Sequence, residues 1–255
     1  MLTLPVSGWQ VRVPLLTGFH ESLLLDTQPL GEAESLVAIF SEMIESDAER
    51  AWADIPVSDG DALLLHMRRS VMGDALQADV RCTRKDCGAR IDLAFSIAAY
   101  LNHNAPKPAK GAVREAEMWW RLDGVRFRAP RLSDEIEARR AKNAEQFLAA
   151  KCVDSGSPDR KTRSRIATAL GRLAPNLAGE LAAKCPDCGS SFTVSFDPRS
   201  FVLRELRGLA AFLDEDIHLL ASAYHWSYRD ILSLPRNRRM QFAERVRVSL
   251  QGSEA

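Results

Sequence analysis

Val80-Arg-Cys-Thr-Arg-Lys-Asp-Cys-Gly-Ala-Arg90 and Lys184-Cys-Pro-Asp-Cys-Gly-Ser190 are two similar turns in a chain of 255 residues, with 97 residues between Cys87 and Cys185. Read together, Cys82, Cys87, Cys185 and Cys188 are two halves of one zinc site, because Zn²⁺ takes four thiolates tetrahedrally and chains usually supply them in pairs on tight turns. In the second half Pro186 fixes one backbone angle, and Gly189 lets the chain bend back with amides pointing at sulfur. The first half is looser, with four residues between its cysteines instead of two, yet Gly88 follows Cys87 as Gly189 follows Cys188. The other reading of the four is buried or surface thiols without metal. Four thiolates close the coordination shell, whereas a catalytic zinc keeps a position open for water, so the quartet points to structural zinc rather than catalysis.

Working outward, both halves lead into alternating apolar segments, Ile91-Leu93-Phe95 and Phe192-Val194-Phe196, which read as strands. Upstream, residues 1 to 18 read as edge strands or an extended arm. Helical spacing follows from Ala33 to Ala51 (Leu36, Ile39, Phe40, Met43, Ile44), and a second helix opens at Asp59-Gly60-Asp61 and ends at Gly73. Between the cysteine pairs, Asn102 to Gly111 reads as a surface loop. Trp119 to Pro130 reads as a β-hairpin around Asp123-Gly124. A helix capped by Ser133 or Asp134 runs to about Lys151 with Ile136, Ala144, Phe147 and Leu148 inward. Asp154 to Arg165 is a polar linker, and Ile166 to Leu181 a helix interrupted at Pro175. Cys152 is expected to be a small buried apolar residue.

After the second pair, Leu203, Leu206, Ala210, Leu213, Ile217, Leu220 and Tyr224 recur at spacings of three and four and predict one helix of roughly 25 residues with a narrow apolar seam. The seam is either core or an interhelical contact. Ser227 with Asp230 starts a short helix, and Pro235 suits the first turn of a last one ending near Leu250.

Composition excludes several classes. Lys plus Arg equals Asp plus Glu at 34 each, which argues against a general nucleic-acid binder. The charge is polarised all the same: residues 26 to 61 hold ten acidic side chains against one Arg, and residues 121 to 172 hold thirteen basic against seven acidic. Solvated helix surface or a pair of docking faces would each produce this. No phosphate loop, His-Glu-x-x-His or nucleophile elbow occurs, and the five histidines are scattered, so no catalytic residues and no small-molecule substrate are expected. His218 beside Asp214-Glu215-Asp216 reads as solvated helix surface in preference to an acid-base pair. No stretch approaches the length that spans a bilayer, so no membrane insertion and a cytoplasmic location are expected.

Three stretches carry a resemblance: Asp61-Ala-Leu-Leu-Leu-His-Met-Arg-Arg69, Cys185-Pro-Asp-Cys-Gly189 leading to Phe196-Asp197, and Glu215-Asp-Ile-His-Leu-Leu-Ala-Ser-Ala-Tyr-His-Trp-Ser-Tyr-Arg-Asp-Ile-Leu-Ser-Leu234 followed by Arg238-Arg239, with Phe127-Arg-Ala-Pro130 between the cysteine pairs. With these, residues 58 to 245 resemble a phage-tail-associated family found with contractile tails and extracellular contractile injection systems, labelled T-even-phage-type baseplate hub proteins or baseplate hub assembly chaperones. The resemblance implies Cys82, Cys87, Cys185 and Cys188 as metal ligands, although the family generally has two residues inside its first pair. It also implies baseplate or hub proteins as partners, and a chain that can be incorporated into an assembled particle.

The predicted fold is α+β: a small zinc-ribbon-like β unit built from residues 78 to 96 and 184 to 197, flanked by helical layers. The predicted parts are 1–76, an N-terminal arm and acidic helical region; 77–200, the zinc-ribbon-like unit with inserted hairpin and helices; and 201–255, a C-terminal helical region. Candidate contact residues are Leu213, Ile217, Leu220, Tyr224 and Trp226, with the acidic face from Glu32 to Asp61. The rival reading is a nucleic-acid-associated zinc-ribbon protein using Arg229, Arg236, Arg238, Arg239, Arg245 and Arg247.

Overall fold

A computed structural model describes residues 1–154 and 158–252. The N-terminal arm forms β1 (Leu2–Thr3) and β2 (Gln10–Arg12), which with β3 (Glu45–Ser46) make a small antiparallel sheet in the order β1-β2-β3. The arm packs locally, since Leu4, Val6, Trp9 and Val11 are all buried. Its backbone is held by Asp59, whose buried carboxylate accepts from the amides of Val6 (2.9 Å) and Ser7 (2.7 Å) and from the Ser7 hydroxyl (2.6 Å). A buried carboxylate needs such partners to offset its lost hydration.

Helix α1 (Gly18–Asp26) is absent from the sequence reading. It has no clean apolar stripe, because Leu23, Leu24 and Leu25 stand in a row, and tertiary contacts settle it. A Cβ on Gly18 would stand 2.8 Å from the Leu232 backbone, so glycine permits this close approach. Helix α2 (Glu32–Met43) stops eight residues before the predicted end, because Ile44 turns extended and leads into β3. A 3₁₀ turn (Trp52–Asp54) precedes α3 (Val57–Met72), which Gly73 ends. α2, α3, the arm and the first part of α8 (Pro198–Ala210) enclose the main core, around Leu36, Ile39, Phe40, Leu63, Leu64, Val202 and Leu206.

Two antiparallel hairpins rise from this core. One is β4 (Ala75–Arg81) with β5 (Arg90–Ser96), followed by α4 (Ile97–His103); the other is β9 (Gly179–Lys184) with β10 (Ser191–Phe196). The helix predicted to Leu181 overlaps the first half of β9. Gly-Glu-Leu-Ala-Ala-Lys has helix-favouring alanines, but pairing with β10 along its whole length overrides that preference. The bases of the hairpins are joined by aromatic side chains, with Phe95 and Phe196 ring centroids 5.3 Å apart and Tyr100 and Phe196 5.4 Å apart.

The predicted Asp123-Gly124 hairpin is β7 (Trp119–Leu122) with β8 (Val125–Arg128), both turn residues having positive φ. A third strand, β6 (Val113–Ala116), pairs with β7. The single helix predicted to Lys151 is two, α5 (Leu132–Ala138) and α6 (Ala144–Lys151), with Asn143 capping the second. None of α6 is buried, so Ala144, Phe147 and Leu148 are no core face. Cys152 is buried as predicted. Helix α7 (Arg160–Leu173) starts inside the expected linker and ends before Pro175, covering β7 and β8 through Ile166 and Ala169. Ser155 to Ser157 of that linker lie outside the described residues.

The predicted long helix is also two. α8 and α9 (Leu213–Tyr224) break at Ala211-Phe212, then α10 (Tyr228–Ser233), capped by Ser227, and α11 (Arg236–Gly252) follow. The seam continues across the break as core: Leu203, Leu206, Ala210, Leu213 and Leu220 are buried. The fold is therefore mixed α and β with small sheets.

Candidate metal centre

The two cysteine turns meet tip to tip. Cys82 follows β4 and Cys87 precedes β5, as Cys185 follows β9 and Cys188 precedes β10. Each turn is closed in the same way: the Cys82 amide donates to the Ala89 carbonyl (2.9 Å) and the Cys185 amide to the Ser190 carbonyl (2.9 Å). Gly88 and Gly189 have φ of +60° and +71°, a conformation in which a side chain would be strained. The four-residue spacing of the first pair is absorbed by an added turn in which the Cys87 amide donates to the Arg84 carbonyl (3.1 Å).

All four sulfurs lie within 4.8 Å of one another. Cys82 Sγ and Cys188 Sγ are 3.7 Å apart, and Cys87 Sγ and Cys185 Sγ 3.8 Å. Four sulfurs bound tetrahedrally at about 2.3 Å from one ion would stand about 3.8 Å apart, which the Cys82–Cys188 and Cys87–Cys185 separations match. It is too wide for disulfides, whose sulfurs are about 2 Å apart. The four cysteines can hold a metal ion.

Electrostatics favour the same use. The hydroxyl and amide of Ser190 reach the Cys188 sulfur and draw its thiol down to about 6. At Cys87 the Ala89 amide favours the thiolate, but burial and the neighbouring sulfurs outweigh it and push the thiol up to about 12. Thiols this close cannot all ionise unless a cation shares the space. Arg81, Arg84, Lys85 and Lys184 stand exposed around the tips, where they offset the surplus negative charge of four thiolates on a divalent ion. Ile91 and Phe192 are buried beneath the sulfurs.

Residues 1–162 match the family model described as T4 bacteriophage base plate protein, more than half of the chain. The chain belongs to this base plate protein family. No curated protein and no solved structure matches it. For a base plate family protein the matched region contains Cys82 and Cys87, whereas Cys185 and Cys188 lie beyond it. Membership implies assembly with other baseplate proteins. Among the described residues no helix is long and apolar enough to cross a membrane.

The other predicted site residues divide. Leu213 and Leu220 are buried and Ile217 is half-buried against α10 and α11, so these three are packing side chains. Tyr224 is 39% exposed. It stacks on half-buried Trp226 (centroids 4.9 Å apart), which meets Phe242 edge-on at 5.1 Å. This aromatic corner is the exposed end of the seam.

The predicted acidic face is partly internal. Asp59 binds the arm; Asp61 is buried and receives Arg199 Nε at 2.8 Å, while Glu34 and Asp54 pair with Arg139 and Arg131.

The arginine-rich C-terminal surface shrinks likewise. Arg239 is fully buried, pairing with Glu21 and with Asp216 (3.2 Å); Arg236 also pairs with Glu21, and Arg247 with Asp216 (2.9 Å). Three of the six arginines proposed for nucleic acid are thus occupied in joining α1, α9 and α11. Periodicity does not reveal this ionic cluster, because its paired members lie 23 to 218 residues apart in sequence and Glu21 sits on a helix without an apolar stripe. His218 is exposed, and its neighbour Asp216 is held by arginines.

Proposed function

We propose that this chain is a non-catalytic component of the baseplate of a contractile tail-like particle, or a chaperone that assembles the baseplate hub, and that Cys82, Cys87, Cys185 and Cys188 bind one structural Zn²⁺. The observation that supports the zinc is the sulfur quartet, with separations of 3.7 and 3.8 Å between turns 97 residues apart in sequence. When bound, zinc supplies a closed thiolate shell and a binding free energy of order ~10 kcal/mol. The chain supplies the rest: Ser190 and Ala89 turn amides toward sulfur, Gly88 and Gly189 allow the turns, and Ile91 and Phe192 keep water from beneath them.

Clamped at the tips by metal and at the bases by Phe95, Tyr100 and Phe196, the hairpins form a zinc-ribbon-like unit. Residues 97 to 178, which carry α4, β6 to β8 and α5 to α7, are then bracketed as one body. In this reading residues 1–76 provide the N-terminal layer, 77–200 the ribbon and its insertion, and 201–255 the C-terminal helices. The partner-facing part of those helices is Tyr224 and Trp226, supported by their position at the surface edge of an otherwise buried seam.

Mass spectrometry of purified particles beside the cell lysate separates the two roles. Stoichiometric presence in mature particles identifies a baseplate component; presence only in lysate complexes with hub proteins identifies a chaperone. Absence from both contradicts the assembly role.

A further inference from the structure

The basic excess of residues 121 to 172 becomes local in the fold. Helix α7 carries Arg160, Lys161, Arg163, Arg165 and Arg172 and no acidic residue. Between this helix and the loop before β6 lies an open groove of about 390 Å³ into which Lys110, Arg165 and Arg172 converge, together with Ser164 and Thr168. The nearby carboxylates are already engaged. Asp159 caps α7 by accepting from the Thr162 amide (2.7 Å), and Asp123 takes one edge of Arg165. Among the described residues Arg172 uses only Nε of its guanidinium, donating to the Pro108 carbonyl (2.9 Å), and Lys110 has no ion-pair partner.

We propose that this groove docks an acidic segment of a partner protein, its carboxylates meeting Lys110, Arg165 and Arg172. Three features select that class. Guanidinium edges match carboxylates in a planar, two-bond fit. Buried Leu122, Ala169 and Ala109 line the groove beside the charges and reduce their screening by water. Arg165 and Arg172 stand seven residues apart on one helix, about 10 Å, which is close to one turn of a polyproline II segment, where side chains three residues apart share a face. Nucleic acid fits less well: no aromatic side chain lines the groove to stack a base, and the chain as a whole has no basic excess. The choice of a protein over a small anion rests on the assembly role; the groove itself is independent of zinc.

The test is fluorescence anisotropy at low salt with a labelled peptide carrying glutamate at every third position, its glutamine counterpart, and a duplex DNA of similar length. The acidic peptide is expected to bind and the glutamine peptide to bind at least about tenfold more weakly. Lys110→Glu should cost about tenfold, while Arg163→Glu, an equal charge change on α7 outside the groove, should cost under about twofold. Unchanged melting of Lys110→Glu shows that folding is not the cause. Equal loss in both variants, no binding of the acidic peptide, or tighter binding of DNA through Lys110 would each overturn the proposal. None of these results bears on zinc content or on presence in particles, so the assembly reading stands or falls separately.

Discussion

Removing the metal should open the hairpin tips while leaving the main core folded. Between the hairpins the apolar contact is small: Ile91 and Phe192 are its buried members apart from the cysteines, and each contributes about 1.5–3 kcal/mol. The metal, at ~10 kcal/mol, therefore outweighs the packing that would remain. The hairpin bases, in contrast, belong to the large core through Leu76, Phe95 and Phe196, which do not depend on the sulfurs. Chelation, or Cys185→Ser at a position only 1% exposed, should thus raise amide exchange in residues 80–91 and 183–192 by about a thousandfold or more, with α2, α3 and α8 changing little. Trypsin should then cut at Arg84, Lys85 and Lys184. Hydrogen exchange read by mass spectrometry, with and without chelator, measures both regions in one sample. Unchanged exchange at the tips would refute the clamp, and equal loss of protection in α2 and α3 would refute the separation of tips from core.

Three further outcomes follow from the packing. Arg239→Ala leaves Glu21 and Asp216 buried with only Arg236 and Arg247 to face them, and should cost about 3 kcal/mol in denaturant unfolding; a loss under about 1 kcal/mol would contradict an internal role for this arginine. Leu220→Ala should cost about 2–5 kcal/mol by opening a cavity under α10 and α11, as core does and a docking surface does not. At Asp134 burial opposes ionisation, but hydrogen bonds from Arg128 and the Arg131 amide outweigh it and hold the carboxyl below its usual range. A depressed folded pKa gives stability that is present above the unfolded value of about 3.9 and is lost as pH falls through the folded one. Asp134→Asn should therefore lower stability at pH 7 and flatten its fall below about pH 4, read from urea midpoints across pH.

The legible parts of the sequence were those where a local requirement has few solutions. Asp123-Gly124, Gly73 and the Ser227 cap each answer a backbone demand that little else satisfies, and each stands where it was read. The two cysteine turns were legible for the same reason, and the fold brings their four sulfurs together. What stayed hidden was decided at a distance. Strand β9 is made of helix-favouring residues and is a strand because β10 pairs with it. Helix α1 lacks a stripe and is placed by the close approach of α10 at Gly18. The break at Ala211-Phe212 carries no Gly or Pro and keeps the seam in phase, so periodicity alone could not reveal it. The same limit affected the site: spacing identified the seam, but only packing separates buried Leu213 and Leu220 from exposed Tyr224.

Native mass spectrometry of the purified full chain, followed by thiol alkylation under folded conditions, tests the metal clamp most directly. One zinc per chain is expected, with Cys82, Cys87, Cys185 and Cys188 protected until a chelator is added. A metal-free protein whose four thiols alkylate at once while it remains folded would contradict it.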